Sequence, residues 1–444
     1  MEMEAWALVM FGVAIALLLL GFPVAFTLGA VSMLFGGIFL GLEFFDLLPL
    51  RMWGIMTNFT LLAVPMFIFM GVILEKSGIA ESLLETMGRL FGRVRGGLAV
   101  SIIVVGALLA ATTGVVGATV VTMGVIALPA MLKHRYSPAL ATGTIAASGT
   151  LGQIIPPSII LILLGDVIGV PVGQLFMGAL TPGLVLVALF MLYVLFVAWR
   201  RPAMAPAVAR PREGDDALGS LPRQVITSLV PPLLLVVAVL GSIFFGIASP
   251  TESAAVGALG AVLLAALHRR MKLASLKAAM EQTARLTSMV FLILIGATAF
   301  GLVFRGMGGD MLVEDLMLAM PGGEWGFLAL SMALIFVLGF FLDFLEICFI
   351  VVPILAPIAE LMGIDLLWFA VLIAMNLQTS FLTPPFGFSL FYLKAVAPPS
   401  VRIQHIYRGI IPFVALQVIT LGVLMAYPQL ALWLPQMMDS LQGF

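Results

Sequence analysis

The chain has 444 residues, 62% of them hydrophobic and 10% charged, with a formal net charge of −1 and a mean hydropathy of +1.21. Soluble domains carry roughly 45–50% apolar and about 25% charged residues, so a string of soluble domains is excluded and an all-α polytopic membrane protein is expected. A single cysteine, Cys348, forbids an internal disulfide, the three histidines lie far apart, and no Gly-Lys pair exists to build an ATP phosphate loop. No cofactor and no nucleic-acid partner are expected.

A crossing helix needs about 20 apolar residues. In chain order the candidate spans are 5–20, 22–42, 58–75, 98–132, 137–169 and 174–199, then 225–246, 250–268, 285–304, 325–362, 365–396 and 408–434. Acids precede the first span where a signal peptide has bases, so it reads as a retained helix. Stretches 98–132 and 325–362 are too long for one span, and each has a polar or glycine break. They read as re-entrant hairpins, giving five crossings per half, although two full crossings each would keep the same sides. With the N-terminus outside, every Lys and Arg except Arg51 and Arg305 falls on the cytoplasmic side. External loops instead carry acids such as Glu43, Asp46, Asp310 and Glu314. This asymmetry fits the positive-inside rule. Segments 78–92 and 272–281 read as amphipathic arms on the cytoplasmic surface.

The chain matches itself at one constant offset. Pro129 pairs with Pro357, Ile145-Ala146 with Ile373-Ala374, and Pro156-Pro157 with Pro384-Pro385. Two inverted-topology repeats follow: 1–199 (hairpin 98–132, broken helix 137–169) and 224–444 (hairpin 325–362, broken helix 365–396), joined by a cytoplasmic linker, 200–223. Inverted repeats with paired broken helices mark secondary transporters, whose sites lie where the copies meet.

The first break runs Ser148-Gly149-Thr150-Leu151-Gly152-Gln153-Ile154-Ile155-Pro156-Pro157-Ser158. Successive prolines remove amide donors and bend the helix, and hydroxyls with freed carbonyls are hard oxygen ligands suited to an alkali cation. Its twin offers Asn376, Gln378, Thr379, Ser380 and Thr383 before Pro384 and Pro385. At the first hairpin tip, Thr112, Thr113 and Thr119 are polar, while Gly114 and Gly117 allow close approach to the backbone. A helix beginning there has an anion-attracting N-terminus; a small-residue packing face is the alternative. Asp343 and Glu346 at the second tip are the only acids placed inside the bilayer. Their spacing is that of a capping box, and cation or proton coupling is the competing role. Arg305, outside, is a contact for substrate or partner, or a snorkelling side chain.

Taken together, Gly149-Thr150-Leu151-Gly152 running to Pro156-Pro157-Ser158, the tip 114–123, Ser249-Pro250-Thr251-Glu252-Ser253-Ala254-Ala255, Phe341-Leu342-Asp343 and Leu382-Thr383-Pro384-Pro385 resemble the large membrane (DctM-like, M) subunit of TRAP (tripartite ATP-independent periplasmic) transporters. The resemblance covers nearly the whole chain. It implies an elevator-type secondary transporter with scaffold and transport domains, in the bacterial inner membrane, driven by sodium and importing a small carboxylate. It further implies a small four-helix (Q-type) membrane subunit and a periplasmic (P-type) binding protein as partners. Nothing resembling that four-helix subunit precedes residue 5, so a separate polypeptide is expected. Sodium sites would lie where each tip meets its broken helix. Two departures, Asn376-Leu377-Gln378-Thr379-Ser380 and Glu346, resemble the subgroup for 2-oxo or hydroxy monocarboxylates and for mannitol or chloroaromatic compounds. The rival readings are a stand-alone ion-coupled carboxylate symporter, a channel or scaffold, and, more distantly, an intramembrane enzyme.

Overall fold

The computed structural model describes residues 2–113, 116–208, 221–269, 271–384 and 387–442, and among these every regular element is helical. The first half comprises α1 (Glu2–Leu19), α2 (Val24–Phe39), α3 (Leu48–Met56), α4 (Ala63–Lys76), α5 (Ile79–Phe91), α6 (Gly97–Thr113), α7 (Val116–Lys133), α8 (Pro138–Thr150), α9 (Ile159–Ile168) and α10 (Val172–Arg200). After the linker come α11 (Leu221–Gln224), α12 (Val230–Phe244), α13 (Pro250–Leu267), α14 (Leu273–Gly306), α15 (Gly309–Leu318) and α16 (Gly323–Leu338). The chain ends with α17 (Phe344–Glu346), α18 (Val352–Leu361), α19 (Leu366–Leu382), α20 (Phe388–Val396), α21 (Ile403–Ala426) and α22 (Gln429–Gln442). Seven of the described helices are long and apolar enough to cross a membrane, or eight if the bent pair 42–76 counts as one. The other apolar helices are shorter, because Pro, Gly and polar breaks divide the stretches that hydropathy runs together.

Local sequence sets the helix ends. Ser249 opens α13 with a capping box, its N–H donating to Glu252 Oε2 at 2.8 Å. Asp365 opens α19 by accepting the Trp368 N–H at 2.9 Å. Gly169, at φ +82°, closes α9 in a left-handed conformation that only glycine adopts without strain. Two π turns, 225–229 and 347–351, each run into prolines (Pro231-Pro232 and Pro353). A proline without an N–H cannot continue the regular ladder, which explains why the helix widens just ahead of it.

Three elements differ from expectation. The external loop expected after residue 42 folds as a short 3₁₀ turn and α3, which bends by 55° into the next helix. Segment 272–281 is no separate arm; it forms the start of the 34-residue α14. The element that follows α14, as α5 follows α4, is α15 on the far side of that span. Pro428 also divides the last span into α21 and α22.

The core is built on α8 and α19. Every residue of α8 from Leu140 to Thr150 is buried, as is every residue of α19 from Leu367 to Leu382. Their coverage is reciprocal. The arms α6 and α7 pack on α8, and α7 also runs along α20; α16 and α18 pack on α19, and α18 also lies against α9. Each hairpin thus covers the first part of its own broken helix and the second part of the other. On the flank, α2, α4, α13 and α14 form a separate layer, with bulky apolar side chains such as Val256, Leu259 and Leu263 exposed on α13 as a lipid-facing surface requires.

Helix α21 crosses α8 at backbone contact. A methyl on Gly409 would stand 2.0 Å from the Ala139 carbonyl oxygen, and one on Gly143 would stand 2.1 Å from the Gly409 carbonyl oxygen. Neither collision is relieved by rotating a side chain. We therefore expect Gly409→Val to destabilise the detergent-solubilised protein by about 2 kcal/mol or more, read as a lowered thermal midpoint. Gly422→Val, on the same helix with nothing within 4 Å, is the control and leaves the midpoint near that of the parent.

Candidate functional site

The first break begins where α8 stops at Thr150. A 3₁₀ turn, Leu151–Gln153, follows, with Ile154 and Ile155 N–H both donating to the Leu151 carbonyl. Pro156 and Pro157 then carry the chain, buried, to Ser158 and α9, and their missing amides explain the gap in the ladder. At the second break α19 stops at Leu382, and the half-buried Thr383 and Pro384 turn toward α20. Pro385 lies outside the described residues.

The polar side chains at both breaks are withdrawn from solvent. Ser148, Thr150, Gln153, Ser158, Asn376, Gln378, Thr379 and Ser380 all have no exposed surface. Each hydroxyl donates to a carbonyl of its own chain: Ser148 to Ile145, Thr150 to Ala147, Ser158 to Gln153, Thr379 to Met375, Ser380 to Leu377 and Thr383 to Thr379, at 2.7–3.1 Å. A hydroxyl that has spent its proton keeps oxygen lone pairs as acceptors. The site is therefore rich in oxygens with acceptor capacity.

The amides are less satisfied among the described residues. Asn376 Nδ2 donates to the Met332 carbonyl at 2.7 Å, but its Oδ1 has no partner. Neither polar atom of Gln378 has one, and the same holds for Gln153. Gln417 of α21 donates to Thr150 Oγ1 at 3.5 Å and leaves its own Oε1 unpartnered. Helix α21 packs on both α8 and α19, and the turn holding Gln153 packs on α19, so these amides belong to the region where the two broken helices meet. Buried amides are normally paired, since an orphaned one costs about 1–3 kcal/mol. Gln153 and Gln417 were not selected from the sequence. The signal was there, a lone amide in an apolar span, but it carried no proline or glycine beside Gln417 to mark it.

The glycines divide differently from expectation. A methyl on Gly149 would lie 2.3 Å from Val120 Cγ2, and one on Gly117 would lie 3.1 Å from the Tyr392 ring. The free faces of both are filled by protein: Gly149 admits α7 to α8, and Gly117 admits the ring from α20. Gly152 sits buried in the 3₁₀ turn. Thr119 is buried on α7. Gly114 and the side chains of Thr112 and Thr113 lie outside what is described. Two further glycines play similar parts in the two halves, although not at the repeat offset. A methyl on Gly106 would stand 2.6 Å from Ser148 Cβ, and one on Gly339 would stand 2.2 Å from Ser380 Oγ. Each hairpin's first arm thus reaches its broken helix through a glycine placed on a serine.

At the second tip the capping geometry is realised. The Asp343 N–H donates to Glu346 Oε2 at 3.0 Å, and Asp343 Oδ1 accepts the Phe344 N–H at 2.7 Å. Glu346 is buried, at 7% exposure. Arg305 stands apart from the breaks, at the end of α14, its Nε donating to Gly301 O at 3.4 Å. It lines a cavity of about 560 Å³ that also holds Arg51.

Residues 11–430 match the family described as "Tripartite ATP-independent periplasmic transporter, DctM component". The chain is 32% identical to the ectoine TRAP transporter large permease protein of Halomonas elongata, over 96% of this chain and 98% of that one. It is 30% identical to the sialic acid TRAP transporter large permease protein of Vibrio cholerae, over 95% and 97%. It is also 29% identical to the C4-dicarboxylate TRAP transporter large permease protein of Pseudomonas aeruginosa, over 87% and 89%. Among solved structures, the YdaH transporter of Alcanivorax borkumensis matches with a TM-score of 0.63 over 95% of this chain and 98% of that one, at 14% identity, a likeness of fold. A multi-span helical chain whose buried broken helices carry its polar groups, matched across its length to these permeases, belongs to the DctM family, the large membrane subunits of TRAP transporters.

Proposed function

We propose that this chain is the permease of a sodium-driven importer of a small organic anion, receiving its substrate from a periplasmic binding protein and working with a small four-helix membrane subunit. It resides in the bacterial inner membrane with its N-terminus in the periplasm and its central linker in the cytoplasm, as the distribution of Lys and Arg supports. The single observation that carries the reading is the meeting of two broken helices around buried, partly orphaned amides and hydroxyl oxygens. Sodium takes the oxygens at each break, and the organic anion sits beside it. The named substrates of the relatives, from sialic acid and C4-dicarboxylates to ectoine, leave the identity of this chain's own substrate open within small polar organic molecules.

The two halves act as inverted repeats, and the reciprocal packing of α7 on α20 and of α18 on α9 supports this. In our reading the hairpins and broken helices move together as the transport domain against the layer of α2, α4, α13 and α14. The reading is tested by uptake into proteoliposomes with and without the binding protein, the small subunit and an inward sodium gradient. Uptake that needs neither partner would indicate a stand-alone symporter instead.

Two substitutions probe the ion site. Thr150→Val and Thr383→Val keep side-chain shape and remove one hydroxyl each. We expect the sodium concentration for half-maximal uptake to rise several-fold in both, with the thermal midpoint unchanged in Thr383→Val and lowered in Thr150→Val, which takes the acceptor from Gln417. An unchanged sodium dependence in both would make these hydroxyls packing groups.

Asp343→Asn separates capping from charge. Asparagine caps a helix about as well as aspartate, and the hydrogen bonds observed at Asp343 are capping bonds. We expect uptake and sodium affinity within roughly twofold of the parent, equivalent to under about 0.5 kcal/mol. Abolished sodium-driven uptake in a well-folded Asp343→Asn protein would instead place the carboxylate in the ion site.

A further inference from the structure

We propose that the cavity holding Arg51 and Arg305 is an outward-facing capture site for a small organic anion that also carries hydroxyl or ammonium groups; this rests on the transport reading above. The cavity, about 560 Å³, is within the range of small-molecule sites. One wall comes from the flanking layer: Arg51 on α3, Arg305 at the end of α14, Asp310 and Glu314 on α15. The opposite wall is the second hairpin's returning arm, with Pro353 and Pro357. Both guanidiniums are exposed, and neither lies within ion-pair distance of a carboxylate among the described residues. They are also the two basic residues that the charge pattern of the chain leaves outside. Two guanidiniums with no carboxylate at ion-pair distance among the described residues offer donors to a ligand carboxylate, in a cleft that also carries three carboxylates, Asp166, Asp310 and Glu314. Asp310 and Glu314 oppose a bare dianion and accept from a ligand's own donors. The third acid, Asp166, already accepts from the Asn58 amide.

The other half carries a counterpart. A cavity of about 580 Å³ lies between α5 and α7, lined by Glu81, Glu85, Arg89 and Arg93. Ile126 and Ala130 on its α7 wall occupy the repeat register of Ile354 and Ile358, which line the outer cavity. Glu81 and Glu85 on α5 answer to Asp310 and Glu314 on α15, one residue off that register. A carboxylate pair and an arginine pair therefore recur at both places. The inner pair is partly occupied, since Arg89 donates to Gln224. In the outer pair Arg305 Nε donates to Gly301 O, which leaves its terminal nitrogens and the Arg51 guanidinium for a ligand.

Gly54 lines the outer cavity, and a side chain added there would meet open space, while the native Cys348 is fully buried. Gly54→Cys in the full chain thus reports local potential through its reaction with membrane-impermeant thiosulfonates in spheroplasts. After correction for their rates with a free thiol, the ratio of the anionic sulfonatoethyl rate to the cationic trimethylammonioethyl rate reports the pull of the two guanidiniums against the three carboxylates. We expect Arg51→Gln with Arg305→Gln to lower that ratio about tenfold, whereas the Arg→Lys pair leaves it unchanged. Gluconate, a hydroxylated carboxylate, slows labelling more than succinate does. A ratio indifferent to the Gln pair, or better protection by succinate, would overturn the assignment. The readout needs no transport. An indifferent ratio with sodium-driven uptake intact sinks the capture site alone, and uptake without sodium dependence sinks the transport reading while leaving the labelling result standing.

Discussion

A backbone amide or carbonyl facing lipid has no water to turn to, so a chain break at membrane depth survives only when protein encloses it. This protein has two such breaks, after Thr150 and after Leu382, and much of its architecture serves to enclose them. The hairpin arms lie on the broken helices through glycines, Gly106 against Ser148 and Gly339 against Ser380. Helix α21 presses on α8 so closely that Gly143 and Gly409 touch backbone to backbone. These contacts bring main chains near enough to exclude lipid from the breaks. They also fix the spacing of the oxygens that the breaks expose.

Enclosure has an energetic consequence. Gln153, Gln378, Asn376 and Gln417 each keep at least one buried polar atom without a partner among the described residues. At about 1–3 kcal/mol per orphaned group, four such residues weigh heavily against a net stability of about 5–15 kcal/mol. Buried polar atoms without a protein partner are normally completed by ordered water, and Thr283 and Ser331, outside the broken helices, are in the same position. The hydroxyls differ. Their protons are already committed to carbonyls of the same chain, and their oxygens keep lone pairs as acceptors.

Much of this was legible in the sequence, and the parts that were not share a physical cause. Composition and charge asymmetry gave the class. Proline pairs gave both breaks, because an absent N–H acts locally and needs no tertiary context. The Asp-x-x-Glu spacing gave the capping box that Asp343 and Glu346 form. Hydropathy missed α3 and merged α21 with α22, because it averages over turns that single prolines and glycines decide, and amphipathic periodicity made a separate arm of 272–281, which continues into α14. Gly117 was expected to let a ligand approach, yet the Tyr392 ring from the distant α20 lies against it, and Val120 of the neighbouring α7 lies against Gly149. Which partner occupies a glycine's open face is a long-range fact, absent from local sequence. Gln417 escaped for the same reason, since its meaning comes from standing beside Thr150.

The boundary between the two layers has a different chemistry from the site it surrounds. Hydrogen bonds that bridge it include Asn58 to Asp166 and Thr122 to Glu75, one at the bend between α3 and α4 and one at the end of α4. Between those points α4 meets α6 through apolar faces, with buried Leu74 beside Leu108 and Leu109. A row of hydrogen bonds fixes a register, because sliding breaks every bond at once. Alkyl contacts exchange for equivalent ones at small cost, since dispersion is non-directional and each atom pair contributes only about 0.1–0.2 kcal/mol. Polar side chains thus gather at the two breaks, while the contact between α4 and α6 is largely alkyl.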